Sequence, residues 1–378
     1  KKHSFKECKR ISFARRMKLA ILGTRGIPNF YGGYEQFAQY LSEEFVRKGH
    51  EVYVYNSSTH PYQEKMWNGV NIIHCKDPED RIGTAGQFIY DLNCILDSRK
   101  RNFDIILQLG YTSSSVWNWL FSKESVIITN MDGLEWKRSK YSKLVQRFLL
   151  YAERLAVKYS DYLISDSVGI QKYLKKKYSV DSKYIPYGAN LISDMDNSIL
   201  KENNLITNSY NMLIARIEPE NSIETILQSV LESDTKRKFL VIGNTQNKYG
   251  QYIKQKFNDD RIIYLGYVSG IKKLDTLRKN SNLYFHGHTV GGTNPSLLEA
   301  MSSHALICAH DNEFNKAILG NDAFYFSCKK CIIPLLNQSE IIERNNFISN
   351  NVEKIRQNYS WEKVISDYES YLISSLKE

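Results

Sequence analysis

Short apolar runs, each closed by a small polar or glycine-bearing turn and followed by a segment of helical periodicity, recur along almost the whole chain. Lys18–Gly23, Glu51–Tyr55, Val70–His74, Phe103–Gln108, Ser125–Thr129 and Tyr162–Ser165 make one series. Asn211–Ala215, Phe239–Gly243, Ile262–Gly266, Leu283–Phe285 and Ala305–Cys308 make a second. Continuous apolar runs of this length read as strands buried on both faces, and strands alternating with helices build parallel sheets covered on both sides. The polar stretch Asp194–Asn208 divides the two series, and 378 residues suffice for two such units. The expected class is α/β: two Rossmann-like domains, 17–192 and 193–360, facing across a cleft. An amphipathic helix over 361–378 is expected to pack back on the N-terminal domain.

Ligands of open parallel sheets bind at the carboxyl ends of the strands, so the turns there are the candidate site. The most informative is Leu283–Met301, L-Y-F-H-G-H-T-V-G-G-T-N-P-S-L-L-E-A-M. Asn294 suits a helix cap and Pro295 the first helical position, where a missing N–H costs nothing. Backbone bared by Gly291, Gly292 and Thr293, together with the helix start, favours an anion. Glu299, one turn in, offers a carboxylate to the vicinal hydroxyls of a ribose. Diphosphate beside ribose describes a nucleotide-sugar; a plain packing turn explains the same glycines. In Arg216-Ile-Glu218-Pro-Glu220-Asn221, an arginine ending a strand and facing a helix start is placed for phosphate, or is an ordinary surface arginine. Gly243 ends the next strand.

The N-terminal turns carry Gly23-Thr24-Arg25-Gly26-Ile-Pro, then Tyr31-Gly32-Gly33-Tyr34-Glu35. The spacing is not the dinucleotide fingerprint, but two glycine pairs admit a sugar or phosphate to bare backbone. Further on are Gly110-Tyr111 and Asn130-Met-Asp132-Gly-Leu-Glu135-Trp-Lys137-Arg138. His286 and His288 lack carboxylates at ligand spacing, so no metal is expected.

Fifty-one Lys and Arg against 41 Asp and Glu give a net charge of +10, which favours anionic partners. The charge is spread and no recognition motif appears, so nucleic acid is not expected. Lys140–Tyr159 places Leu144, Phe148, Leu149, Ala152 and Leu155 on one face, with Lys143, Arg147, Arg154 and Lys158 elsewhere. It is either a core-facing helix or a basic helix resting on anionic lipid. No apolar run is long enough to span a bilayer. Six cysteines lack a framework spacing, favouring a reducing compartment, and Cys328-Lys-Lys-Cys331 is a lone C-x-x-C. Residues 1–16 form a basic tail, with seven Lys or Arg, ahead of Met17, and are set aside from fold reasoning.

Two Rossmann-like halves, the R-I-E-P-E-N turn and a glycine loop entering P-S-L-L-E-A-M resemble family-4 retaining glycosyltransferases of the GT-B fold. L-G-T-R-G-I-P-x-x-Y-G-G-Y-E and N-x-D-G-L-E-W-K-R resemble one branch, the bacterial rhamnosyltransferases of capsule and cell-wall polysaccharide synthesis. The resemblance implies a donor on the C-terminal domain, most simply dTDP-L-rhamnose with a UDP-sugar as the second option. Its donor-binding residues would be Gly23, Thr24, Arg25, Gly26, Arg216, Glu218, Asn221, Gly243, Gly291, Gly292, Thr293, Asn294, Pro295 and Glu299. It implies a lipid-pyrophosphate-linked saccharide acceptor held by Tyr31, Gly32, Gly33, Glu35, Tyr111, Asp132, Glu135 and Lys137. Catalysis falls to Asp132 and Arg216, without cofactor or metal, in a cytoplasmic protein peripheral to the inner face of the plasma membrane. Two positions depart from the pattern: Gly291 stands where a sugar-binding glutamate is expected, and Asn221 where a lysine is. Asn130 occupies the place of the usual histidine. A nucleotide-sugar 2-epimerase and a non-catalytic nucleotide-sugar-binding partner subunit are the competing readings.

Overall fold

The computed structural model describes residues 16–138, 141–289 and 291–376; residues 1–15 of the basic tail lie outside them. Two sheets organise the chain. The first contains β1 (Lys18–Leu22), β2 (Glu51–Ser57), β3 (Met66–Trp67), β4 (Val70–Cys75), β5 (Ile105–Leu109), β6 (Val126–Asn130), β7 (Tyr162–Ser165) and β8 (Lys183–Tyr184), in the order 3-4-2-1-5-6-7-8. The second contains β9 (Tyr210–Ile214), β10 (Lys238–Ile242), β11 (Ile262–Gly266), β12 (Tyr284–His286), β13 (Ile307–His310) and β14 (Phe324–Phe326), in the order 11-10-9-12-13-14. All pairings are parallel except β3 with β4. In each sheet the strand order reverses direction beside its first strand, which opens a crevice at the carboxyl ends.

The apolar runs explain the sheets. Leu19, Ala20, Ile21, Ile105, Ile106 and Leu107 are fully buried, because helices cover both faces and alternation of polar residues would be costly. In the second sheet Met212, Phe239, Leu240, Val241 and Ile307 play the same part. The short strands β3, β8 and β14 lie at or next to sheet edges and contain two or three residues each.

The C-terminal helix Trp361–Ser375 leaves the second domain and packs on the first. Trp361, Val364, Ile365, Tyr368 and Leu372 join the core formed by Phe37, Leu41, Phe45 and β1. Trp361 stacks on Tyr40 with ring centroids 4.6 Å apart. Glu369 accepts from Lys48 Nζ at 2.5 Å and pairs with His50 Nε2 at 2.9 Å. The chain therefore crosses between domains twice, and the crossings touch: Ala189 N–H donates to the Tyr359 carbonyl at 2.7 Å.

Helix Lys143–Tyr159 is capped by Ser142, whose Oγ accepts from Val145 N–H at 3.4 Å. Its buried face is Leu149, Ala152, Glu153 and Ala156. Leu144, placed by periodicity on the core face, is 77% exposed. It lies in the first turn, ahead of the part of the helix that meets the core.

Candidate functional site

The C-terminal side of the cleft is built from three connected turns. After β9, Arg216 is exposed, and its guanidinium is paired with no carboxylate among the described residues. The turn beneath it is fixed by Asn221, 5% exposed, whose Nδ2 donates to the Arg216 carbonyl at 2.7 Å. Asn221 therefore spends its amide on holding the backbone that presents Arg216. The neighbouring loop locks onto this turn through Thr289, whose N–H and Oγ1 donate to the Glu220 carbonyl at 3.1 and 2.8 Å. A Cβ at Gly287 would lie 2.0 Å from the Asn221 carbonyl oxygen, and one at Gly243 2.1 Å from that of Ala215. Glu218 precedes the short Pro219–Asn221 turn in extended conformation and is half-buried.

The loop then enters helix Pro295–Ser302. Asn294 caps it, Oδ1 accepting from Ser296 N–H at 2.9 Å, with Pro295 at the first helical position. Gly291 has φ +146° with open space beside it, a conformation that strains any L side chain. A glutamate here would be strained by the backbone rather than by its neighbours. Glu299 faces the cleft with its side chain 24% exposed, and Arg278 Nη2 donates to its Oε2 at 2.5 Å. Arg278 is 1% exposed and also pairs with Asp275 at 2.9 Å. Burial alone would lower its pKa; Glu299, with Asp275, reverses that and leaves it above the ordinary value. Arg278 thereby fixes the Glu299 carboxylate in one orientation.

His286 and His288 stack below this loop, with centroids 4.3 Å apart. Among the described residues, neither nitrogen of His286 has a hydrogen-bond partner, nor does Nδ1 of His288. Burial, then His288 and Arg278, push the His286 pKa well down. Burial, then Arg216 and Arg138, push His288 down to about 3. Both rings are therefore neutral at pH 7. Among the described residues no group of three potential metal ligands is found.

Opposite lies the N-terminal side. Gly23, with φ +90°, brings the β1 turn against β5, where a Cβ would sit 2.1 Å from the Leu109 carbonyl oxygen. Thr24 is buried with Oγ1 unpartnered, and Gly26 packs on the Asn56 amide. Arg25 is taken up by Glu79, its Nη2 2.7 and 2.8 Å from the two carboxylate oxygens. Arg25 N–H donates to Glu35 Oε1 at 3.0 Å, which commits buried Glu35 to shaping this turn. Tyr31 is 46% exposed with the Arg25 guanidinium 5.7 Å from its ring centroid, and neighbouring Phe30 is 60% exposed. Gly32 and Gly33 are exposed, and the Gly33 carbonyl accepts from Tyr187 Oη at 2.9 Å. Tyr111 is buried, its hydroxyl donating to the Gly133 carbonyl at 3.3 Å. Glu135 pairs with Arg138 at 2.7 Å, and exposed Lys137 lies 5.6 Å from the Trp136 ring centroid.

The two sides meet at Asp132 and Asp166. Asn130 on β6 pairs in register with Ile164 on β7, so each aspartate stands two residues past a matched pair. Asp132 is half-buried and Asp166 buried. The Thr293 N–H of the Gly291–Pro295 loop donates to Asp166 Oδ2 at 3.0 Å, and Thr293 Oγ1 donates to the Asp166 carbonyl. A Cβ on Gly292 would stand 2.0 Å from both Asp166 carboxylate oxygens. Arg138 also reaches across the seam, 3.9 Å from Glu220. Asn130 is turned away from the cleft, its Nδ2 donating to Tyr368 Oη at 2.9 Å. Asp166, Arg138 and Arg278 had no role assigned from sequence. Asp166 directly follows its strand, and only the register of β6 with β7, which local sequence does not report, sets it level with Asp132. The pairing of Arg278 with Glu299 spans 21 positions and two elements, which periodicity does not report.

Residues 197–359 match the family model described as glycosyl transferases group 1, and residues 16–190 match a domain of unknown function, DUF1972. Among the similar solved structures is a sucrose-phosphate synthase from Thermosynechococcus elongatus, at 14% identity and TM-score 0.79, covering 96% of this chain and all of that one. HepE from Anabaena, solved in complex with UDP and glucose, has 13% identity and TM-score 0.75 over 95% of this chain and all of that one. An α,α-trehalose 6-phosphate synthase from Burkholderia multivorans has 11% identity and TM-score 0.70, covering 96% and 98%. No curated protein matches. The fold is GT-B. The match to group 1 corrects the family-4 rhamnosyltransferase resemblance: the strand, glycine-loop and helix order that suggested it belongs to the GT-B architecture as a whole.

Proposed function

We propose that this GT-B chain is a nucleotide-sugar-dependent glycosyltransferase that moves a hexose or deoxyhexose to a saccharide hydroxyl with retention. The observation carrying this reading is the Arg216, Gly291–Pro295 and Glu299 constellation facing Asp132 across the cleft. Arg216 is a cation at a strand end, unpaired among the described residues, beside a capped helix start; together they suit a diphosphate. Glu299, held by Arg278, suits the two hydroxyls of a nucleoside ribose. The complexes of HepE with UDP and UDP-glucose support a nucleoside diphosphate donor by likeness of fold.

In the proposed reaction the acceptor oxygen bonds to the anomeric carbon as the bond from that carbon to the diphosphate oxygen breaks. The electron pair leaves with the diphosphate, and its oxygen takes the acceptor proton. Charge develops on the leaving group, so preorganised donors there are the main source of rate. Arg216 and the loop at Gly291–Pro295 supply them. Asp132 orients the acceptor hydroxyl by accepting its hydrogen bond during approach.

For the acceptor we infer a saccharide on a lipid pyrophosphate, met at the cytoplasmic face of a membrane. The support is helix Lys143–Tyr159, where Leu144, Val145 and Tyr151 are exposed beside Lys143, Arg147 and Arg154. Apolar side chains ringed by cations suit an anionic bilayer surface. No helix among the described residues is long and apolar enough to cross one.

The test is a donor screen across UDP-, dTDP- and GDP-sugars, dTDP-L-rhamnose included, with a lipid-pyrophosphate saccharide in anionic vesicles. One donor giving an elongated, anomerically retained product is expected. Epimerised donor without elongation, or no consumption of any donor, overturns the reading.

A further inference from the structure

We propose that Asp166 is the positioning residue of this site, sharing one proton with Asp132 and tying that carboxyl to the donor loop. The proposal rests on the glycosyltransferase reading for its kinetic consequence, and on geometry for the pair itself. Asp132 and Asp166 each stand two residues past the register pair Asn130 and Ile164 of adjacent parallel strands, at the same end of the sheet. Asp166 is 6% exposed, and after burial Asp132 is the group that bears most strongly on its carboxyl. Oδ2 of Asp166 is satisfied by Thr293 N–H, while Oδ1 has no donor among the described residues. Two carboxylates cannot both ionise side by side in a buried site, and one proton between them supplies the missing donor. Burial, followed by Asp132, holds the Asp166 carboxyl well above the usual range.

The groups facing the pair reinforce this state. Tyr34, Tyr184 and Tyr368 are the titratable side chains that sense Asp166, and burial raises the pKa of each. They remain neutral hydroxyls through the physiological range. Glu135 lies on the same side, and Arg138 is the cation there, already paired with Glu135. Arg138 also acts on Asp132, which favours the anion there and leaves the proton to Asp166.

The arrangement links the halves of the site. Thr293 and Gly292 are donor-loop residues seated on Asp166, which in turn fixes Asp132, the group facing the acceptor. Loss of the shared proton would set two anions against each other, push Asp132 out of place and weaken the seat of the loop.

Asp166→Asn imitates the protonated state: its carbonyl accepts from Thr293 and its amide donates to Asp132. Asp166→Ala removes both contacts. We expect Asp166→Asn to turn over roughly tenfold faster than Asp166→Ala. The unaltered chain is expected to lose kcat/KM at alkaline pH, and Asp166→Asn is expected to lack that fall. Infrared spectra of the whole protein should contain a buried protonated carboxyl band at neutral pH that Asp166→Asn abolishes. An unchanged alkaline limb in Asp166→Asn, equal damage by Asn and Ala, or absence of that band overturns the proposal. If no donor is consumed, the glycosyltransferase reading fails, while the infrared measurement still decides whether the proton is shared.

Discussion

In the proposed reaction, Arg216 is the residue on which the chemistry turns. A charge-assisted contact to phosphate contributes about 1.5–3 kcal/mol, against about 0.3–1 kcal/mol for a helix start. Arg216→Ala is therefore expected to lower kcat/KM by roughly 10- to 100-fold, with Arg216→Lys between the two. Steady-state kinetics on the matched donor check this. His286 and His288 make a prediction of a different kind. Their pKa values lie below the ordinary value of 6.5. The unfolded chain therefore binds protons that the native chain refuses as pH falls below that range. Stability is complete above it and is lost on acidification. Asp166 has the opposite sign, its contribution present at low pH and lost as pH rises through its raised pKa. Melting curves between pH 7 and pH 4 should show the acid loss, and His286→Leu should make it less steep. An unchanged slope in that variant would locate the acid sensitivity elsewhere.

Among the elements, the C-terminal helix carries the most instructive energetics. Trp361 is 5% exposed and meets Phe37, Tyr40 and Tyr187, while Gly188 passes so close that a Cβ would lie 2.6 Å from its ring. Trp361→Ala is expected to cost about 3–5 kcal/mol in chemical denaturation, since it empties a site between the first domain and both crossing segments. The helix itself was legible: its apolar residues recur at helical spacing after a Tyr-Ser-Trp cap region. The long strands were legible for a similar reason, because five consecutive apolar residues need two covered faces. Met66–Trp67, Lys183–Tyr184 and Phe324–Phe326 were not, since two or three residues establish no period and their pairing is supplied by neighbours. Arg25 shows the same limit within the site. The resemblance places it among the donor-binding residues, and its pairing with Glu79, 54 positions away, is not readable from the loop.

For the molecule as a whole, the fold explains why the site lies where it does. Both sheets reverse strand order beside their first strands, and both crevices open toward the cleft. The residues of the C-terminal crevice were readable from local sequence because one turn holds the cap, the glycines and Glu299. The seam was not, because Asp132, Asp166 and Thr293 come from three distant segments that only folding brings together. The central claim is that Arg216 holds the diphosphate and Glu299 the nucleoside of one donor. The direct measurement is calorimetric titration of the unaltered chain, Arg216→Ala and Glu299→Ala with a nucleoside diphosphate and with the corresponding nucleoside. The account predicts that Arg216→Ala weakens only the diphosphate, whereas Glu299→Ala weakens both. Equal binding of the diphosphate by all three proteins, or none by the unaltered chain, would contradict it.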